Sequence, residues 1–113
     1  MSNEEAVHNI SISMDQAKIY IANKESLDKL IANPDFDKII TKGYFENEAS
    51  RLVLTKADPG MESADKQAAI IKSIDGIGSL RTYLRAIMQI GEMAQKDLKS
   101  SEEELELAEN EDI

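Results

Sequence analysis

The chain has 113 residues, of which 42% are apolar but only 4% aromatic, with no Trp, no Cys and a formal net charge of −9. That length gives one domain with a modest core. The missing Cys excludes disulfides and thiolate metal sites, and the lone His8 excludes a histidine cluster. A core of Ile, Leu, Ala and Met suits helix packing, and five Gly with two Pro are too few for the turns of an all-β fold.

The charge is unevenly spread. The last thirteen residues, SEEELELAENEDI, hold seven acidic residues and no basic ones, which leaves 15 acidic against 13 basic in the remainder. A near-neutral body argues against tight binding to nucleic-acid phosphates, which needs a concentrated basic surface. The first ten residues, MSNEEAVHNI, are acidic and lack the apolar run of a signal peptide. No stretch reaches the roughly 18 apolar residues of a membrane span. The expectation is a soluble protein of the cytoplasm, of a cell or an infected host, neither secreted nor membrane-spanning.

Residues 1–12 show no sustained period and read as a flexible N-terminal arm. From Ser13, a candidate N-cap, Met14, Ala17, Ile21, Leu27, Leu30 and Ile31 recur at roughly helical spacing. The polar stretch Asn23-Lys24-Glu25-Ser26 either breaks this helix or faces solvent, and the alternating KIYIA is a competing strand with no evident partner. Asn33-Pro34 ends the element, because the residue before proline is pushed out of the α region. Asp35 or Asp37 is placed to cap a short helix through FDKIITK, stopping at Gly43. Tyr44 to Lys56 is then amphipathic, with Phe45, Ala49, Leu52 and Val53 on one stripe. Asp58-Pro59-Gly60 is turn chemistry, and Ser63 is the candidate cap of the longest helix, from about residue 64 to beyond 98.

That last helix carries three glycines in IKSIDGIGSLRTYLRAIMQIGEM, residues 71–93. A phosphate-binding GxGxxG loop needs a strand before it and a third glycine where Arg81 stands. Instead Ile70, Ile77, Leu84, Gly91 and Leu98 recur every seven residues, with Ile74 and Met88 between them. Leu80, Ile87 and Ala94 form a second stripe alongside. The period passes through the glycines without losing phase, so they serve close packing or bending.

Chemistry is sparse. Arg81 and Arg85 share a helix face four residues apart and can grip a carboxylate or phosphate, or simply lie in solvent as a charged flank. Tyr44-Phe45 is either a contact site or an anchor of a small core. Asp35 and Asp37 resemble a pair of catalytic carboxylates but lack a setting that drives their pKa values apart. With one His and no nucleophile motif the chain reads as non-enzymatic, with no catalytic, cofactor-binding or metal-ligating residues. Glu102, Glu103, Glu104 and Glu106, interrupted by Leu105 and Leu107, belong to an acidic tail that either stays solvated or docks into a basic groove.

Residues 43–85 resemble small helical proteins of tailed bacteriophages in Gly43-Tyr44-Phe45, Glu48-Ala49, Arg51-Leu52, Asp58-Pro59 and the Ile77-Gly78-x-Leu80-Arg81 patch. The resemblance covers a little over a third of the chain and carries no catalytic residues. It implies a phage context: a virion or assembly component, or a small factor acting on a host protein.

The expected fold is all-α: two or three shorter helices packed on one long C-terminal helix within residues 13–99, with an acidic tail over 100–113. Some 30 residues of the long helix would span roughly 45 Å, more than a small monomer needs. Its stripe (Ile70, Ile77, Leu84, Met88) is therefore expected to extend past the internal core into a homo-oligomer or a larger partner. The expected function is a structural or assembly protein working through protein–protein contacts. The alternative is a small acidic inhibitor of a host enzyme or defence protein.

Overall fold

A computed structural model describes residues 2–110, and over these the chain is all-α. Helix α1 spans Asn3–Ala32, one-turn α2 spans Pro34–Phe36, a wide π-helical stretch spans Asp37–Glu48, α3 spans Ala49–Lys56 and the long α4 spans Ala64–Asn110. The expected architecture of shorter helices packed on a long C-terminal one is present. Its boundaries differ in instructive ways.

Helix α1 begins eleven residues earlier than a cap at Ser13 implies. Ser2 starts it: its Oγ accepts from Glu5 N at 3.1 Å, and its carbonyl accepts from Ala6 N at 3.0 Å. Residues 3–12 of the expected arm are thus helix, the polar stretch 23–26 does not interrupt it, and KIYIA is helical. At the other end Asn33 caps the next helix in place of Asp35 or Asp37. Asn33 Oδ1 accepts from Asp35 N at 2.8 Å and Phe36 N at 3.3 Å, and Pro34 occupies the first helical position.

No stop occurs at Gly43. The backbone stays right-handed helical from Phe36 through Ala49, so α2, the π-helical stretch and α3 succeed one another without a break. Such wide helix is rare and elsewhere occurs mostly as single turns inside α-helices. Gly43 has a direct role in it: a Cβ there would lie 2.9 Å from the Lys38 carbonyl oxygen, a backbone atom that cannot swing aside.

The turn between α3 and α4 is built as the sequence suggested. Gly60 takes φ 87°, where a side chain would clash with backbone. Ser63 Oγ accepts from Lys66 N at 3.3 Å and opens α4. Gln67 Nε2 donates to Lys56 O at 2.9 Å and Met61 O at 2.7 Å, and Lys66 Nζ to Gly60 O at 2.8 Å, so the helix that follows ties down the end of α3 and two carbonyls of the loop.

The chain divides into two compact units, Met1–Leu27 with Ala86–Ile113, and Asp28–Arg85. In the second, Leu52, Ile70 and Ile77 form the core, with Tyr44, Phe45, Ala49, Met61 and Ile74 packed against them. The Tyr44 and Phe45 rings lie tilted to each other with centroids 6.0 Å apart.

In the first unit, inward positions on α1 are Asn3, Val7, Ile10, Met14, Ala17, Ile21 and Lys24. On α4 they are Ile87, Gly91, Ala94, Leu98, Ser101, Leu105 and Ala108. Both sets alternate steps of four and three, the heptad seam of paired helices. Asn3 Nδ2 donates to Ala108 O at 3.0 Å, while Lys24 lies against Gly91, so the two strands of this pair run antiparallel.

Candidate functional site

The residues singled out from sequence divide between core and surface. Ile70 and Ile77 are buried, 6% and 5% exposed, against their own chain. Leu84 and Met88 are half-buried. Tyr44 and Phe45 are half-buried and pack against the core of the second unit. The expectation that the α4 stripe outruns the internal core is corrected here. Its early part is covered by the π-helical stretch and α3, and Gly91 by Lys24 of α1, with Ala94 and Leu98 on the same inward face.

Arg81 and Arg85 are exposed on α4. Glu102, Glu103, Glu104 and Glu106 are also exposed, but as part of α4, which continues to Asn110. These carboxylates are therefore held in helical register. Glu111 and Asp112 lie outside the described residues.

Of the three glycines in residues 71–93, Gly91 is buried against Lys24, whereas a Cβ at Gly76 would meet only Tyr44 Oη at 4.0 Å and one at Gly78 nothing within 4 Å. Close packing is thus the business of Gly91. Ala17 and Ala94, 6% and 4% exposed, are further small residues on that seam.

Sequence reasoning missed the feature these small residues create. A groove of about 510 Å³ runs beside the α1–α4 seam of the first unit. Ala17, Ala94 and Ser101 form part of its lining, and Tyr20, Ile90 and Met93 expose apolar surface on it. The charged members of its lining are Asp97 and Glu104, both carboxylates. The signal was in the sequence: Ile90, Asp97 and Glu104 are spaced by seven, one position before the inward Gly91, Leu98 and Leu105.

The electrostatics of the two units differ. The first holds 13 acidic and four basic residues, hence the whole net charge of −9, and the second holds nine of each. In the second unit the exposed ion pairs include Lys42 with Asp37 at 3.1 Å and Arg51 with Glu48, three residues apart on the helix. Hydrogen bonding from Arg51, its Nε 2.9 Å from Glu48 Oε2, holds the Glu48 carboxyl below its ordinary value; desolvation opposes this, and the guanidinium charge adds a lesser lowering. The same hydrogen bond raises Arg51. This perturbation belongs to a solvent-exposed pair on a helix surface, and carries none of the burial expected of a catalytic acid.

Among the described residues no group of three or more His, Asp or Glu side chains is placed to hold a metal ion. Among them too, no helix is long and apolar enough to cross a membrane. Comparison with protein-family models, with curated proteins and with solved structures finds no match.

Proposed function

We propose that this chain is a non-enzymatic protein of a tailed bacteriophage, a structural or assembly component that works through protein–protein contacts in the virion or in the infected cell. The phage context rests on the resemblance of residues 43–85. The mode of action rests on one observation: an antiparallel helical pair whose seam is filled from within still presents Tyr20, Ile90 and Met93 beside a row of carboxylates. Exposed apolar side chains grouped on a rigid helical surface and rimmed by polar ones mark contact surfaces.

A second reading, a small acidic inhibitor covering a basic site on a host protein, is favoured by the concentration of all the net charge in the first unit. Charge of one sign on a fixed scaffold speeds encounter with an oppositely charged partner, and that attraction weakens with salt.

The test is crosslinking and affinity capture of the tagged full chain from infected cells, followed by particle fractionation. A stoichiometric partner in particles or assembly intermediates supports the structural role. Capture of a host protein, released by salt, selects the inhibitor. A chain recovered free of any protein partner refutes both.

A further inference from the structure

We infer that the groove beside Tyr20, Ile90 and Met93 receives a cationic amphipathic helix from a different protein. The inference rests on the reading that this chain works through protein contacts, and names the chemistry of the contact.

The groove follows the helix axis. Ile90, Asp97 and Glu104 each lie one heptad apart on α4, so the lining covers about 14 residues, or roughly 21 Å. That length matches an incoming helix of about four turns. Its character changes along the way: Ile90 and Met93 with Tyr20 of α1 are apolar, while Asp97 and Glu104 further along are carboxylates. Small residues in the lining, Ala17 and Ala94 among them, leave depth for aliphatic side chains. An occupant with Leu or Ile toward the apolar end and Lys or Arg toward Asp97 and Glu104 satisfies both halves.

Charge decides between occupants. A second copy would bring its own Asp97 and Glu104, on a unit that carries the full −9, against the same residues. Nucleic acid and anionic lipid headgroups are repelled by the same carboxylates. A cationic helix alone gains from both the apolar and the acidic part.

The experiment uses the full chain and a fluorescein-labelled synthetic helix of Leu and Lys, about 14 residues long, with a Leu–Glu peptide of the same pattern as control. Binding is followed by fluorescence anisotropy. Asp97→Asn with Glu104→Gln removes the groove's charges. Glu102→Gln with Glu109→Gln removes the same number from exposed positions outside it. Met93→Ser, at a side chain 63% exposed, removes apolar contact at little risk to folding, which circular dichroism verifies. The expectation is that the Leu–Lys peptide binds, that the groove charge variant and Met93→Ser each weaken it by roughly tenfold, and that the outside pair weakens it by less than about threefold. Equal loss in the two charge variants, no loss in Met93→Ser, no binding, or binding of the Leu–Glu peptide overturns the proposal. So does a dimer of the full chain in sedimentation that Met93→Ser dissolves, which would assign the groove to a second copy. None of these outcomes touches the broader reading, which fails only if no protein partner is captured from infected cells.

Discussion

Lys24 of α1 lies across Gly91 of α4, so closely that a Cβ added to the glycine would run into Lys24 Cβ and sit 2.8 Å from its Cδ. The aliphatic stem of a lysine thus packs on bare backbone, and its half-buried position continues the inward heptad of α1. Gly91→Ala removes a helix-interior glycine, which alone favours the helix by about 1 kcal/mol. It also forces Lys24 Cβ, which is fixed to its backbone, to move, and overpacking costs about 1–3 kcal/mol. The net expectation is destabilisation, by up to about 2 kcal/mol, in urea unfolding. An unchanged or raised midpoint would mean that the helices do not meet there.

Gly78 gives the opposite sign. Nothing lies within 4 Å of an added Cβ and the residue is inside a continuous helix. Gly78→Ala is expected to stabilise by about 0.5–1 kcal/mol, through helix propensity and lost unfolded-state freedom. A destabilised variant would show that this glycine serves a bend or contact.

At Gly43 an added Cβ meets backbone, 2.9 Å from Lys38 O. Gly43→Ala is expected to destabilise the second unit by about 1–2 kcal/mol or to convert the wide helix into ordinary α-helix with shifted register. Amide exchange across residues 37–48 reads both outcomes, and unaltered protection would contradict the contact.

Core and surface leucines separate cleanly in the second unit. Leu52, 7% exposed, packs with Ile70 and Ile77, whereas nearby Leu54 is 69% exposed. Leu52→Ala should cost about 2–5 kcal/mol, and Leu54→Ala no more than about 0.5 kcal/mol. Equal effects in thermal unfolding would refute this packing.

Two electrostatic effects are expected. With 13 acids against four bases in the first unit, screening of like charges by added salt should raise the melting temperature; a fall would contradict net repulsion. Glu48 acts separately. Its folded-state pKa is lowered, so its contribution is present above the ordinary glutamate range and is lost as pH falls through the lowered value. The pair is exposed, so the effect is small, and Glu48→Gln should flatten the acid limb of the stability profile slightly.

Much of the second unit was legible. The turn at Asp58-Pro59-Gly60, the Ser63 cap and the heptad of Ile70 and Ile77 depend on residues close in sequence, whose backbone preferences and periodicity act locally. The first unit was harder to read. Its α1 seam includes Asn3 and Lys24, polar residues that break an apolar pattern yet serve it through a hydrogen bond to Ala108 and a stem across Gly91. Without them in the count, the first ten residues of α1 look like an arm and the α4 stripe looks unpartnered.

The all-α class, the long C-terminal helix, its inward heptad and the loop before it were determined by the sequence alone, because composition, capping and hydrophobic period are properties of neighbouring residues. The tertiary structure decided that α1 covers the far part of that heptad, that Gly91 and not Gly78 is the point of close approach, and that small residues on the seam leave a groove between apolar and acidic side chains. Each of these depends on side chains from positions some 67 to 105 residues apart meeting at one place, and such meetings are set by packing between helices, which no local period encodes.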